Sequence, residues 1–185
     1  MRFISSFLAL AVGLAAPLAS AFELTSTDFQ PGGRLSENQV FKGFGCEGGN
    51  ISPQLSWRDA PAGSKSFAIT VYDPDAPTGS GWWHWVVWNI PASVNALRAG
   101  IGSVHAHPNF RLPEGAVEGR TDFGAVGFGG ACPPAGDKPH RYIFTVHALK
   151  VDKLELPENP TAALVGFMLN ANRLGKATLE AQYSR

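Results

Sequence analysis

The chain has 185 residues, of which 15 are Lys or Arg and 15 are Asp or Glu, so its formal net charge is zero with neutral histidines. A balanced chain without a basic run argues against nucleic acid, and against anionic lipid surfaces, as its partner. The 21 glycines and 14 prolines indicate many turns and few long helices. No internal repeat or linker divides the sequence, so one domain is expected.

The N-terminus has the anatomy of a secretory signal peptide. A short positive start precedes an uncharged apolar run, Phe3–Leu18, and the small-residue sequence Ala19–Ala21 follows. The apolar run is shorter than the about 20 residues that a membrane span needs, although an uncleaved N-terminal anchor is the alternative. The sequence therefore predicts a cleaved signal peptide over 1–21, a single domain over 22–185, and secretion, with the bacterial periplasm as destination.

Most of the remaining chain is typical of β-structure, because apolar side chains alternate with period 2 and Val, Ile, Thr and aromatic residues are frequent. The longest alternating runs have faces formed by Phe67, Ile69 and Val71 and by Tyr142, Phe144, Val146 and Ala148. In chain order, the strand candidates are Phe22–Ser26, Gln54–Trp57, Ser66–Asp73, His84–Ile90, Arg141–Lys150 and Ala177–Tyr183.

One helix is predicted near the C-terminus. Asn159 is its expected cap, Pro160 lies in its first turn, apolar residues recur at helical spacing over 164–169, and Gly175 ends it. The segment 100–119 shows no clean period and is expected to be a long loop. The predicted fold is mainly β, an antiparallel β-sandwich with one or two peripheral helices.

Two cysteines, Cys46 and Cys132, remain after the signal peptide. In an oxidising compartment an even pair predicts one disulfide, and two unpaired buried thiols are the alternative. A metal site is not predicted from them, because neither belongs to a closely spaced ligand pair.

Three ionisable residues lie where an apolar strand face meets a loop. Asp73 ends one strand, and His84 and His140 each begin another. If the first two strands pair through the short connection 74–83, Asp73 and His84 lie at the same end of the sheet. Polar groups at the rim of an apolar layer are typical of small-ligand pockets, whereas for a lone histidine, hydrogen bonding to nearby loop backbone is the better explanation. Strict alternation also places His84, Val86, Trp88 and Ile90 on one face and Trp83 and Trp85 on the other.

The same segments resemble the phosphatidylethanolamine-binding protein family, also called Raf kinase inhibitor proteins. Asp-Pro-Asp-Ala-Pro at 73–77 and Gly-Trp-Trp-His-Trp-Val-Val-Trp-Asn-Ile-Pro at 81–91 resemble its first signature block. Gly-Gly-Ala-Cys-Pro-Pro-Ala-Gly-Asp-Lys-Pro-His-Arg-Tyr at 129–142 resembles the second, and Asn-Ile-Ser-Pro at 50–53 with Leu-Ser-Trp matches the lead-in. Their order and spacing are similar to those of the bacterial branch, over about residues 29–183.

The resemblance implies a large antiparallel sheet packed on a smaller one, with a pocket at one sheet end for phosphate, phosphoethanolamine head groups or acetate. Two departures are noted: Cys132 stands where many members have Gly, and the C-terminal helix that covers the pocket in animal members is not expected. The pocket positions carried over from the family are Asp73, Asp75, Trp82, His84, Pro133, His140 and Tyr142.

The leading functional hypothesis is a binding protein for a small anion or phospholipid head group. Histidine ring N–H groups would donate hydrogen bonds to the anion, and no cofactor is expected. A protein inhibitor of a protease or kinase, acting through a loop such as 100–120, is the main alternative. An acid–base enzyme is less favoured because no Gly-x-Ser-x-Gly nucleophile motif is present. A metal site made by Asp73, Asp75, His84 and His140 is least favoured. The sequence leaves open whether the chain forms a homodimer and which aspartate faces the pocket.

Overall fold

A computed structural model describes residues 21–102 and 110–185. Residues 1–20, on which the signal-peptide prediction rests, and residues 103–109 of the predicted loop lie outside this description. The described elements are β1 (Glu23–Thr25), a 3-10 helix (Glu37–Gln39), β2 (Lys42–Gly43), β3 (Cys46–Glu47), β4 (Leu55–Arg58), β5 (Ser66–Asp73), β6 (Trp82–Pro91), β7 (Ala96–Leu97), β8 (Val117–Glu118), β9 (His140–Leu149), α1 (Ala162–Asn172) and β10 (Arg173–Tyr183).

The described strands form three antiparallel sheets. A five-stranded sheet has the order β10-β9-β5-β6-β8, a three-stranded sheet has the order β1-β4-β7, and β2 pairs with β3. The prediction of a mainly β, antiparallel fold with a peripheral helix is confirmed. The pairing of β5 with β6, in register Asp73 to Trp82, also confirms the predicted hairpin-like unit.

Apolar layers cover both faces of the five-stranded sheet. One face, which carries Phe67, Ile69 and Val71 of β5, packs in the main core together with Leu24, Leu55 and other side chains of the three-stranded sheet. The opposite face packs against α1. The predicted alternation of β5 and β9 is confirmed, because long strands buried on both faces still direct alternate side chains to opposite sides. We call the two sides the core side and the helix side.

The prediction that the side chains of β6 alternate strictly between two faces is wrong, because β6 carries two bulges. Val71 pairs with Trp85 and Tyr72 with Trp83, so His84 is an extra residue, and a second irregularity precedes Ile90. Each bulge shifts the alternation by one residue. Trp85 and Ile90 therefore pack on the core side, whereas Val86 and Trp88 pack on the helix side.

The boundaries of the helix also differ from the prediction. The N-cap is Thr161, whose Oγ1 accepts a hydrogen bond from the backbone N–H of Leu164 at 3.1 Å. Asn159 lies earlier, with a positive φ of 52°. The helix ends at Asn172, and Gly175 lies within β10 beside a register irregularity.

Cys46 and Cys132 form a disulfide, as predicted. Part of the predicted loop 100–119 is ordered as a strand, because β8 pairs with the edge of β6. Within the described ranges, no helix is both long enough and apolar enough to span a bilayer.

Candidate functional site

A cavity of about 200 Å³ lies where β5 ends and where β6 and β9 begin. The β5–β6 connection and the segment around Pro133 form its sides, so both sequence blocks contribute to it. Its described lining consists of Phe44, Asp73, Ala76, Pro77, Thr78, Trp82, His84, Phe123, Cys132, Pro133, Pro134, His140 and Tyr142.

Asp73 and His140 form a buried pair at the cavity floor. The imidazole Nδ1 lies 2.8 Å from Asp73 Oδ2. Asp73 Oδ1 accepts the backbone N–H groups of Asp75 and Ala76 at 2.8 and 3.1 Å. Both carboxylate oxygens are thus occupied by donors, so Asp73 orients His140 and leaves its Nε2 for other partners. That atom lies 3.4 Å from Asp137 Oδ2.

His84 is held by a loop carbonyl. Its Nδ1 lies 2.7 Å from Gly129 O. Because a carbonyl oxygen only accepts, Nδ1 carries the proton and Nε2 has a lone pair when the ring is neutral. Burial lowers the pKa of His84 below its usual 6.5, although Gly129 and the nearby carboxylates of Asp73 and Asp122 act in the opposite direction. The ring therefore rests neutral near pH 7 in the free protein.

The loop that supplies this carbonyl depends on close backbone approach. Gly130 donates its N–H to Asn50 Oδ1 at 2.7 Å, and Asn50 Nδ2 donates to Phe128 O at 3.1 Å. A Cβ on Gly130 would overlap the backbone of residues 39–41, and one on Gly129 would overlap the Phe123 ring. A larger residue at position 130 would therefore displace backbone next to the carbonyl that holds His84, and one at position 129 would displace the Phe123 ring.

Two buried donors of the lining have no acceptor among the described residues, although the Cys132 backbone interacts with the Tyr142 oxygen. They are the Tyr142 hydroxyl and Trp82 Nε1. Tyr142 is only 1% exposed, and burial raises the pKa of its hydroxyl, which therefore stays protonated. Buried donors are normally paired, and two such donors belong to side chains that line this cavity.

The charge of the lining is unusual for an anion site. None of the described lining residues is Lys or Arg, and Asp73 is an acid. Within the described lining, the imidazoles of His84 and His140 are the groups that can carry a positive charge, and the Arg185 guanidinium lies beside it, 2.6 Å from Pro133 O. In the described part of the chain, no three His, Cys, Asp or Glu side chains lie close enough together to hold a metal ion.

The rim of the cavity is aromatic and covalently tied. Phe44 at the tip of the β2–β3 hairpin and Phe123 have nearly parallel rings, with centroids 5.8 Å apart. The Phe123 ring also contacts His84, at 5.3 Å. Cys132, which is bonded to Cys46 of the hairpin, is itself part of the lining.

Six of the seven predicted site residues line the cavity, and Asp75 does not. Asp75 instead binds Arg141 through both carboxylate oxygens, at 2.9 and 2.8 Å, which lowers the pKa of Asp75 to about 2. Sequence reasoning missed Phe44, Phe123 and Asn50. Only Asn50 has a signal in the sequence, since it begins the lead-in segment of the family resemblance, which by itself assigns Asn50 no role.

Known proteins resemble this chain over nearly its full described length. The sequence profile described as phosphatidylethanolamine-binding protein matches residues 25–184. The UPF0098 protein YbcL of Escherichia coli K12 is 56% identical over 165 residues, covering 89% of this chain and 88% of YbcL. The chain belongs to the phosphatidylethanolamine-binding protein family.

Two further relatives support this membership. UPF0098 protein YbhB of E. coli K12 is 49% identical over 88% of this chain and 99% of YbhB. The crystal structure of E. coli YbcL, described as a new member of the mammalian family, has a TM-score of 0.85 over 90% of this chain and 99% of its own. A homologue from Chlamydia trachomatis has a TM-score of 0.72 at 31% identity, covering 89% of this chain and 98% of its own.

Proposed function

We propose that this family member is a binding protein whose cavity holds a small anion, such as phosphate or the phosphoethanolamine head group of a phospholipid. The observation that carries the proposal is the pair of unpartnered donors, the Tyr142 hydroxyl and Trp82 Nε1, beside two imidazoles. An anionic oxygen is the natural partner for such donors, and bonds to charged groups are the stronger ones. The family's name, which refers to a phosphoester lipid, supports the same class of ligand.

Binding without turnover is favoured because the described lining offers no activated hydroxyl or thiol nucleophile. Its aliphatic hydroxyl belongs to Thr78 and donates to Gly81 O. Its cysteine is in a disulfide. The buried hydroxyl of Tyr142 stays protonated near neutral pH because its pKa is raised. Acid–base catalysis by histidine alone would still need a substrate group to act on.

An anion placed against neutral His84 would face a lone pair, and Asp73 would repel it. Proton uptake by His84 removes both difficulties, because an imidazolium Nε2 donates a hydrogen bond and adds a positive charge. Binding is therefore coupled to protonation. The bound anion raises a pKa that burial has lowered, and affinity increases as pH falls.

The first test is calorimetric titration of the purified protein with phosphate and O-phosphoethanolamine. Saturable binding is expected, with affinity lost in His84→Ala and weakened about tenfold or more in Tyr142→Phe, which removes only the unpartnered hydroxyl. His147→Gln is the matched control, since His147 is equally buried on the helix side. Absence of saturable binding by folded protein, or equal binding by the Tyr142 variant, would contradict the proposal.

The second test separates protein protonation from ligand protonation. Sulfate does not titrate between pH 6 and 8, so any increase in its affinity as pH falls from 8 to 6 must come from the protein. For one coupled proton, the increase is up to about tenfold per pH unit. Titrations in buffers of different ionisation enthalpy should show net proton uptake. A sulfate affinity that does not change with pH would exclude a protonated His84 as the hydrogen-bond donor to the anion.

We also propose that the mature protein is secreted to the periplasm. The Cys46–Cys132 disulfide supports this location, because such bonds persist in oxidising compartments. Fractionation and mass determination of the product in a Gram-negative host test it, with cleavage after Ala21 as the expected result. Full-length protein in the cytoplasm would refute it. The inhibitor alternative rests on a loop that includes residues 103–109, outside the described part, and no described contact favours it.

A further inference from the structure

The outer edge of β10, which faces away from β9, is only partly covered. Gln182 donates its backbone N–H to Gly33 O at 2.8 Å and accepts the N–H of Leu35 at 2.9 Å. Glu180 O accepts the N–H of Gly32 at 2.8 Å. In an antiparallel strand, the two backbone groups of one residue point to the same edge, and successive residues point to opposite edges. The even-numbered residues of β10 therefore direct their N–H and C=O groups to the outer edge.

Thr178 and Lys176 present the same groups at the outer edge, and no backbone hydrogen bond reaches them from the described part of the chain. The edge is covered again at Gly175, where an added Cβ would lie only 2.7 Å from Pro61 Cγ. We call Lys176–Leu179, between the two covered parts, the open edge, and it spans roughly 13 Å. Unpaired strand edges of this kind are templates for pairing with another chain.

A groove of about 570 Å³ lies along the open edge, and its other wall is β1, itself an edge strand of the three-stranded sheet. Ala177 and Leu179 are buried on the core side of β10, whereas Lys176 and Thr178 are exposed on the helix side. A strand added to the open edge would therefore direct every second side chain towards the groove wall that contains Leu24, and the others towards solvent. None of the described residues that line this groove lines the cavity.

Lys176 gives the open edge a positive charge, and none of the described ion pairs includes this residue. Two acids line the same groove. Glu23 pairs with Arg58, and Glu180 lies where the edge is covered by Gly32. An incoming strand with Asp or Glu opposite Lys176 would therefore gain a cross-strand pair of opposite charges.

A second copy of this chain fits the open edge poorly. Two open edges paired antiparallel would bring their Lys176 side chains directly or diagonally opposite each other, where like charges repel. Lysine on an edge strand is a common obstacle to such self-pairing. The positive potential acts on His147 of the neighbouring strand, whose pKa is lowered first by burial and then by the charges of Arg173 and Lys176. An acidic strand from another protein does not meet this obstacle.

We propose that the open edge of β10 binds an extended peptide segment of another protein, which adds to the five-stranded sheet and places an acidic residue opposite Lys176. Main-chain hydrogen bonds to Lys176 and Thr178 supply the affinity, and apolar side chains of the segment enter the groove. The added strand is antiparallel to β10, as in the rest of the sheet, because this pairing is slightly the more stable one. The inference does not depend on the proposed anion-binding function.

The test uses a capped pentapeptide, Val-Thr-Val-Glu-Val, titrated by NMR into the purified, isotope-labelled protein. In the proposed register its Glu lies opposite Lys176 and its Thr opposite Thr178. Saturable shifts of the backbone amide signals of these two residues are expected. N-methylation of the Glu nitrogen, which faces β10, should weaken binding about tenfold or more, whereas N-methylation of the central Val nitrogen, which faces away, should change affinity less than about twofold.

Charge reversal tests the preference for an acidic residue. Wild-type protein should bind the peptide about fivefold more tightly than the same peptide with Lys in place of Glu. Lys176→Glu should reverse this order. Lys153→Glu, at an exposed lysine outside the groove, is the matched control and should keep the order of the wild type.

Three results would overturn the proposal. Absence of saturable shifts at Lys176 and Thr178, or equal effects of the two N-methyl groups, would exclude strand addition at the open edge. An unchanged order of the two peptides in Lys176→Glu would exclude the acidic preference. Dimerisation of the protein alone that blocks the peptide would assign the edge to a second copy. Because the groove and the cavity share no described lining residue, none of these results decides the anion-binding function.

Discussion

The two sides of the five-stranded sheet each bury a histidine from β9, with different consequences. His140 and His147 are seven residues apart, an odd number, so they face opposite sides of the strand. His140, at the cavity, has Asp73 as its charge partner at 2.8 Å. His147, on the helix side, has Thr70 Oγ1 at 3.2 Å, and its Nδ1 has no partner among the described residues.

Burial alone does not distinguish the two histidines, since His140 and His147 are 4% and 7% exposed, but their surroundings do. At the cavity, the side chains of Asp73, Tyr142 and Trp82 lie in the same lining as the two imidazoles, so His84 and His140 have polar neighbours beside a cavity. On the helix side, burial and the positive charges of Arg173 and Lys176 lower the pKa of His147 to about 3. His147 is therefore a neutral polar residue of the packed interior, and its lowered pKa destabilises the fold at acidic pH.

The largest expected effect concerns the Cys46–Cys132 disulfide, which joins the β2–β3 hairpin to the cavity lining and does not contact the helix side. The disulfide closes a segment with a sequence separation of 86. The chain-entropy argument predicts a loss of about 4 kcal/mol of unfolding free energy in Cys46→Ala/Cys132→Ala, measured by urea denaturation. Hydrogen exchange should show the β2–β3 hairpin losing protection before α1. A loss below about 1 kcal/mol, or equal loss of protection on both sides, would contradict the comparison.

The second effect concerns the pH dependence of stability on the helix side. The pKa of His147 is about 3 when folded and near 6.5 when unfolded, so between these values the unfolded chain binds one more proton. Stability is therefore lost as pH falls below 6.5. His147→Gln should remove about 3 kcal/mol of the loss between pH 7 and pH 4, measured by urea denaturation. Parallel pH profiles for variant and wild type would show that His147 is not the acid-sensitive group.

The smallest effect separates the two aspartates at the end of β5. Asp75 and Arg141 form a partly exposed pair outside the cavity, so Asp75→Asn should lower Tm by at most a few degrees. The lowered pKa means that the stabilisation is present above about pH 4 and is lost as pH falls through about 2. Sulfate affinity should change less than twofold. A large loss of affinity would show that Asp75, rather than Asp73 alone, supports the anion site.

Much of the site was predictable because its main residues lie on or beside long strands. Period 2 and a short connection bring Asp73 and His84 to one end of the sheet. His140 begins β9, which lies on the other side of β5 from β6. The orientation within β6 was not predictable, because a bulge depends on partner strands and is invisible to alternation along one strand. Loop residues such as Phe44 were missed because their position depends on contacts distant in sequence.

By itself, the sequence determined the strand pattern, the family signature, the two candidate cysteines and the ends of strands that carry polar groups, since these follow from local periodicity and composition. Only the tertiary structure decided that Asp73 faces inward and Asp75 outward, that His84 donates to Gly129 O, and that the Tyr142 hydroxyl lacks an acceptor among the described residues. These features depend on three-dimensional packing: a loop carbonyl, a guanidinium and a cavity must meet side chains from elements far apart in the chain.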